Sequence, residues 1–380
     1  MTTITLNDGN KIPAVGFGVF MIPADGPTYD AVRTALDAGY RHIDTAAAYF
    51  NEADVGRAVR DSGIPREEIF ITSKLWLQDY GYEAAKKGLD TSLEKLGMDY
   101  VDLYLLHQPY GDVAGAWKAL EEAKAAGKVR SIGVSNMTPK IWKEFVPQFK
   151  TLPAVNQVEC NPFFQQRELR ELLAKDDVKI EAYQPLGHGD SSLLSHPVIA
   201  KLAEKYGKNA GQIILRFEVQ DGLIVLPKST NPERIAGNLR IFDFELTEDE
   251  MNQMYALDTG KGSHDPEAPG VAEMLLQNYK IHDCCRRRSC YEKEFWPEAL
   301  FISSAGDGHR QLRQGWNAGR HERRLGRHRG GRQDLPVPQL EPQDRGEHPG
   351  AEGLYRQRGG RGYPGRGGDD RPGQAEAAHL

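Results

Sequence analysis

From the N-terminus to about Asp283, short runs rich in β-formers alternate with longer amphipathic stretches, and this alternation constrains the fold more than any single motif. The spacing predicts strands at residues 15–17, His42–Asp44, 69–74, Val101–Leu106, 130–134, 154–158, Lys179–Tyr183 and 223–226. Helical patterns fall between them at residues 29–38, Tyr82–Leu96, 113–126, 166–173 and 197–205. One strand and one helix recur every roughly 25–40 residues, the rhythm of βα units on a parallel sheet. Eight such units in about 280 residues suit a closed (β/α)8 TIM barrel. Ahead of them, residues 3–6, the turn Asn7-Asp8-Gly9 and residues 11–13 read as a β-hairpin, because Asp-Gly supplies a tight turn. That hairpin is expected to cap the bottom of the barrel. The competing doubly wound sheet needs a glycine-rich first turn, and Gly16-Phe17-Gly18 lacks the third glycine.

Beyond Asp283 the composition changes abruptly. Residues 284–380 are crowded with Arg, Gly, Pro, Gln and His, hold a single lysine, Lys293, and have few branched aliphatics after Ile302. Such a segment buries too little apolar area to offset chain entropy, so it is expected to be disordered. Arg358-Gly359-Gly360 resembles an RNA-binding tail, but interspersed acids weaken that reading. Read-through or out-of-frame translation of a GC-rich gene is the plainer source. The expected division is therefore a barrel over 1–283 and a tail over 284–380. A net charge of −6 disfavours nucleic acid as the main partner. No apolar run reaches the roughly 18–20 residues of a membrane helix, and Met1-Thr2-Thr3-Ile4 has no signal-peptide character. Cys160 is the only one of four cysteines before residue 284, so a reducing cytoplasm is expected.

In a barrel, catalytic residues sit where strands end. Asp44 closes one predicted strand with Tyr49 just after it, Lys74 closes the next, and His107 follows Leu103-Tyr104-Leu105-Leu106. A free tyrosine is a poor acid at neutral pH, but a neighbouring ammonium lowers its pKa, and a carboxylate can hold that ammonium in place. Asp44, Lys74 and Tyr49 are expected to form such a chain. His107 would orient a substrate oxygen, giving a general acid for a group that gains negative charge on reduction. Singly, each has a plainer reading: a structural ion pair for Asp44 and Lys74, a rim aromatic for Tyr49, a core histidine for His107. Four at consecutive strand ends make coincidence a poor explanation.

A second set of residues suits a flat, phosphorylated ligand. Ser135-Asn136 and Gln157 pair donors with acceptors as a carboxamide requires, and Tyr183 offers a ring for stacking. Pro227-Lys228-Ser229-Thr230, with Arg234 and Asn238 beyond, reads as a phosphate clamp at a helix start, where TIM barrels commonly bind phosphate. The plainer reading is a solvated basic helix start.

Several motifs now coincide with a known pattern. The run Leu36-Asp37-Ala38-Gly39-Tyr40-Arg41-His42-Ile43-Asp44-Thr45-Ala46, then Tyr49 and Asn51-Glu52, resembles the first signature of the aldo-keto reductase family. Ile71-Thr72-Ser73-Lys74-Leu75-Trp76, Leu106-His107-Gln108-Pro109, Ile132-Gly133-Val134-Ser135-Asn136 and Val155-Asn156-Gln157-Val158-Glu159 continue it. Val225-Leu226-Pro227-Lys228-Ser229-Thr230-Asn231-Pro232-Glu233-Arg234-Ile235 resembles its cofactor signature. Within the family the chain is most similar to prokaryotic 2,5-diketo-D-gluconate and methylglyoxal-type reductases. The resemblance implies reduction of small dicarbonyls or keto-sugar acids with NADPH, no metal, and a monomer in the cytoplasm. It also implies a catalytic tetrad of Asp44, Tyr49, Lys74 and His107. Ser135, Asn136 and Gln157 would hold the carboxamide and Tyr183 would stack on the nicotinamide. Pro185, Leu186 and Gly187 would follow the pyrophosphate, Lys228, Ser229, Thr230 and Arg234 the 2′-phosphate, and Asn238 the adenine. Phe20, Trp76, His107, Gln108 and Tyr110 would line the substrate pocket, with residues 260–281 closing over it. Two departures stand out: Gly237 where relatives often carry glutamate, and Gln108 where tryptophan is frequent, which makes the pocket more polar.

Overall fold

The alternation is borne out by a computed structural model that describes residues 2–278. The expectations for residues 284–380, and for the boundary at Asp283, lie outside the described residues. Strands β1 (Thr3–Thr5) and β2 (Lys11–Pro13) form the antiparallel hairpin. Eight parallel strands follow: β3 (Phe17–Gly18), β4 (His42–Asp44), β5 (Phe70–Leu75), β6 (Val101–Leu106), β7 (Val129–Ser135), β8 (Val155–Glu159), β9 (Lys179–Tyr183) and β10 (Ile224–Val225). The helices are α1 (Pro27–Asp37), α2 (Glu52–Asp61), α3 (Tyr82–Leu96), α4 (Val113–Ala125), α5 (Pro139–Phe145) and α6 (Arg167–Leu173), then α7 (Ser191–Leu194), α8 (Pro197–Tyr206), α9 (Ala210–Gln220), α10 (Pro232–Leu239), α11 (Glu248–Tyr255) and α12 (Val271–Asn278).

Each strand neighbours the next one in sequence, from β3 through β10. A doubly wound sheet would reverse that order part-way, so this alternative is excluded. The sheet curls until its ends meet: Gly16 N–H donates to Val225 O and Val225 N–H to Ala14 O, both at 2.9 Å, around a parallel bridge between Val15 and Val225. This is the arrangement expected of a (β/α)8 barrel. Leu6 and Ile12 of the hairpin pack with Phe70, Leu103, Leu105 and Ile224, so the hairpin plugs the bottom. Asn10 fastens it, its side-chain amide donating to Arg130 O at 3.1 Å and to Ser131 Oγ at 3.0 Å.

Outside the strands, a continuous apolar layer joins sheet to helices, with Trp117, Tyr40, Leu36 and Ile132 among its buried members. Several helices announce their starts. Asn209 with Gln212 and Thr247 with Glu250 form reciprocal capping boxes at α9 and α11. Asn231 caps α10, accepting from Arg234 N–H at 3.0 Å. No helix among the described residues is long and apolar enough to cross a membrane.

A close interhelical approach rests on Gly56 of α2. A Cβ there would lie 1.9 Å from the Leu96 carbonyl oxygen at the end of α3. Since backbone cannot retract as a side-chain tip can, Gly56→Ala should destabilise the fold by about 2–3 kcal/mol. Urea denaturation should show the midpoint falling at unchanged m-value; an unshifted midpoint would contradict this packing.

Candidate active site

Parallel strands all end on the same rim, which brings polar residues from distant parts of the chain together. Asp44 is the last residue of β4, with Thr72 of β5 as its register partner. The chain then makes a short 3-10 turn, Ala47–Tyr49, closed by Phe50 at φ 58°, and this turn folds Tyr49 back over the strand ends. Lys74 of β5 is fully buried. Its Nζ donates to Asp44 Oδ1 at 2.6 Å, to the Thr45 carbonyl at 2.9 Å and to the Tyr49 hydroxyl at 3.4 Å. His107, just past β6, meets the Tyr49 ring edge-on with centroids 5.5 Å apart. The four expected residues are thus one contiguous group.

Electrostatics departs from expectation at one point. The Tyr49 hydroxyl was expected to be drawn down by Lys74, but it is pushed well above the ordinary phenol range. Burial is the main cause, followed by the negative charges of Asp44 and Glu181. Without water a phenolate is costly, and the acids beside it add to that cost. Tyr49 therefore keeps its proton throughout the neutral range. Burial also pushes the Asp44 carboxyl up, against the pull of Lys74 and Gln157. His107 is held well below its usual pKa, first by burial and then by Lys74, so it stays neutral.

Asp44, Tyr49 and His107 line a cavity of about 770 Å³ that runs along the rim. Ser135, Asn136, Gln157, Tyr183, Pro185 and Leu186 also line it, as do Lys228, Ser229, Thr230, Arg234 and Asn238. Asn136, at φ 60°, donates through Nδ2 to the His107 carbonyl at 3.1 Å and accepts at Oδ1 from the Tyr183 hydroxyl at 2.8 Å. Gln157 faces inward: its Nε2 donates to Asp44 Oδ2 at 2.9 Å and to Glu181 Oε2 at 2.6 Å. Lys228 is pushed below its ordinary pKa by burial and then by Arg234. Neither cation has a carboxylate ion-pair partner among the described residues, and both stand at the start of α10. An anion fits such a place.

Of the expected pocket residues, Phe20 and Gln108 line the cavity, and Gln108 Oε1 is buried without a hydrogen-bond partner. Trp76 and Gly187 are not among the lining residues. Trp76 is fully buried behind His107, ring centroids 5.0 Å apart, in a cluster with Leu275 and Met274 of α12. Tyr110 instead donates to the Pro266 carbonyl at 2.6 Å. The closing segment is partly as expected: Ser263 N–H and hydroxyl bind the Glu159 carboxylate, and Ser263 and His264 border the cavity. Residues 279–281 lie outside the described residues.

Sequence reasoning overlooked Glu181, Gln184, His188, Asn209 and His264. Glu181 carried a readable signal, since the two-residue period of a strand puts it on the face that presents Tyr183. The others belong to loops or a helix cap, where no period points at a site.

The sequence profile of the Aldo/keto reductase family matches residues 23–259. The chain belongs to this family. An aldo-keto reductase of Mycolicibacterium smegmatis is 49% identical over 261 residues, covering 68% of this chain and 94% of the relative. Morphine 6-dehydrogenase of Pseudomonas putida is 45% identical over 274 residues, covering 68% and 91%. Among solved structures, an aldo/keto reductase of Brucella melitensis superposes with a TM-score of 0.65 at 46% identity, over 68% of this chain and 99% of that one. A Bombyx mori aldo-keto reductase in complex with NADP gives 0.65 at 36% identity, over 71% and 95%. The protein is accordingly an oxidoreductase of the carbonyl-reducing kind, a class that uses NAD(P)H. The likeness to 2,5-diketo-D-gluconate and methylglyoxal reductases in particular has no counterpart among these relatives.

The Lys74–Asp44 pair can be tested without turnover. Lys74→Met strands Asp44 and Glu181 in the barrel and should cost about 3–5 kcal/mol at pH 8. The loss should shrink at pH 5, where both acids can take up protons. Urea titrations at the two pH values give the comparison, and equal losses would argue against an ionised pair.

Proposed function

We propose that the chain is an NADPH-dependent reductase of aldehydes and ketones with Tyr49 as the proton donor. The observation that carries the reading is Lys74 Nζ joining Asp44 Oδ1 and the Tyr49 hydroxyl beside His107, where Asp44, Tyr49 and His107 line a cavity that Lys228 and Arg234 also line.

The residues present fit the cofactor. Lys228, Ser229, Thr230 and Arg234 would take the 2′-phosphate at the start of α10, and Asn238 the adenine. Asn136, Ser135 and Gln157 would hold the carboxamide; Gln157 has its amide oxygen left for this, since Nε2 is committed to Asp44 and Glu181. Pro185, Leu186 and Gly187 would follow the pyrophosphate, and Tyr183, steadied by Asn136, would stack on the nicotinamide. NADPH supplies the hydride when bound. Neutral His107 would bind the substrate oxygen and fix its direction. Tyr49 would then give its proton to that oxygen as negative charge builds there. Lys74 offsets the charge left on the phenol, and Asp44 holds Lys74 in place. In alcohol oxidation the same proton returns to Tyr49.

Small dicarbonyls or keto-sugar acids are the proposed substrates. The unpartnered Gln108 Oε1 supports polar substrates, and Phe20, its ring 5.0 Å from that of Tyr49, supplies the apolar wall. Trp76 would act from behind His107, fixing its ring. The enzyme is proposed to lie within residues 1–283, because about two-thirds of this chain spans nearly all of the relatives' length. A cytoplasmic monomer remains the reading: Cys160 is buried and free, and a closed barrel leaves no strand edge in need of a partner.

NADPH oxidation against a panel of dicarbonyls, keto-sugar acids and aromatic aldehydes tests the chemistry. Tyr49→Phe should lower kcat by at least about 100-fold, within the usual worth of a general acid; equal rates would remove Tyr49 from the role. Arg234→Ala should raise KM for NADPH by roughly tenfold, the worth of one charge-assisted contact, while leaving KM for NADH nearly unchanged. Equal effects on both would contradict the phosphate assignment.

A further inference from the structure

Beneath the Lys74–Asp44 pair lies a second buried carboxyl that the proposed chemistry does not use. Glu181 stands in the middle of β9 and is fully buried. Its Oε2 accepts from Gln157 Nε2 at 2.6 Å, and the same nitrogen donates to Asp44 Oδ2 at 2.9 Å. Two carboxyls therefore hang on one amide group. Glu181 Oε1 has no hydrogen-bond partner and lies 3.5 Å from His42 Nε2.

Charge counting decides what this cluster holds. The titratable and charged groups around Glu181 are His42 and Asp44 of β4, Lys74 of β5 and Tyr49 from the turn after β4. Gln157 of β8 and Ile224 of β10 are its uncharged register neighbours. Burial drives His42 down to about 3, so it is neutral, and Tyr49 holds its proton. Among the described residues, Lys74 is then the one cation facing two acids. A set this deeply buried is best satisfied at zero net charge, which leaves one proton shared between the carboxyls. Asp44 receives the direct 2.6 Å bond from Lys74, and Glu181 does not, so the proton belongs on Glu181. We propose that Glu181 is a positioning residue that stores a proton below the catalytic pair and so keeps Tyr49 a usable acid.

The inference rests on the proposed role of Tyr49 and deepens it. Protonated Glu181 is a neutral neighbour. Once ionised, it adds a negative charge that opposes phenolate formation on Tyr49, and it competes with Asp44 for Lys74. Burial pushes Glu181 up to about 8, with Asp44 adding to the shift, so the change falls just above neutrality. Carbonyl reduction, which needs phenolate to form, weakens as Glu181 loses its proton.

The test compares the full-length wild type with Glu181→Gln, which keeps a neutral side chain at every pH. Reduction of a reactive dicarbonyl such as methylglyoxal by NADPH is followed from pH 6 to 10, with thermal melts in the same buffers. At pH 6 the two kcat values should agree within about threefold. By pH 9.5 the wild type should have lost about tenfold more kcat than the variant, one unit of change in the acid's strength. Superimposable profiles would overturn the proposal. Should Glu181→Gln not fold, Glu181→Asp restores an ionisable carboxyl and must retain the alkaline loss; a flat profile there overturns it equally. Should neither protein reduce any carbonyl, the function reading fails and the melts decide this one separately. Folded wild type keeps the Glu181 proton where the unfolded chain has lost it, between the ordinary glutamate range and about 8. Wild-type stability is therefore lost as pH rises through that window. The Tm difference should move steadily in favour of Glu181→Gln between pH 5 and 8, and a constant difference overturns the proposal.

Discussion

A lysine with no solvent exposure at the mouth of a barrel is tolerated only when its charge is matched and its protons are used. Lys74 meets both conditions through Asp44, the Thr45 carbonyl and the Tyr49 hydroxyl. Those contacts tie β4 to β5 at their C-terminal ends and pin the turn that carries Tyr49. Remove the ammonium, and Asp44 and Glu181 become two acids on one amide with no cation between them. The position of Tyr49, the direction of Gln157 and the charge state of the barrel interior all follow from this one buried cation.

The rest of the architecture separates stability from chemistry along the barrel axis. Leu6 and Ile12 plug the bottom with apolar surface, and a continuous apolar layer joins the sheet to the helices. Polar residues gather at the top instead, where parallel strands end and backbone groups are freed for loops. Along that rim the charge changes character. Near Tyr49, acids and a lysine nearly cancel in a dry setting, whereas Lys228 and Arg234 stand together at a capped helix start without a carboxylate partner among the described residues. One end suits a small transfer of charge, the other a standing anion. Under the proposed function, one ligand bearing both a phosphate and a reactive ring would use both sets.

Much of this was legible beforehand because it depends on local periodicity. The strands His42–Asp44, Val101–Leu106 and Lys179–Tyr183 were bounded correctly, and residues 69–74, 130–134 and 154–158 missed by one position at their ends. The rule that strand C-termini face one rim then gathered Asp44, Lys74 and His107. What escaped notice had the wrong local signature. Helix α2 buries Glu52 and Asp54 beside Val55, Ala58 and Val59, so its apolar stripe is short and its first turn reads as polar. Helix α9 is buried nearly all round, and its Ile213-Ile214-Leu215 run looks like a strand. The lining residues His188, Asn209 and His264 are set by loop and cap geometry, which pattern counting does not reach. Trp76 was given to the pocket by the family resemblance, whereas it packs in a cluster with Leu275 and Met274 of α12.

The least legible quantity was the acidity of Tyr49, and the reason is instructive. Adjacency in sequence showed a lysine and an aspartate near a phenol, from which a lowered pKa follows if the lysine dominates. Dominance depends on net charge within the buried volume, and that required knowing that Glu181 on β9 lies beside Asp44 on β4, linked through Gln157 on β8. Burial weakens the phenol first, and each ionised acid nearby weakens it further, so under the proposed role of Glu181 a proton held there removes one of those charges. A barrel turns the inner faces of β4, β8 and β9 toward one another, so a residue near position 180 lies beside one near position 44. The strength of the acid is therefore a property of the closed sheet and not of the motif that contains Tyr49.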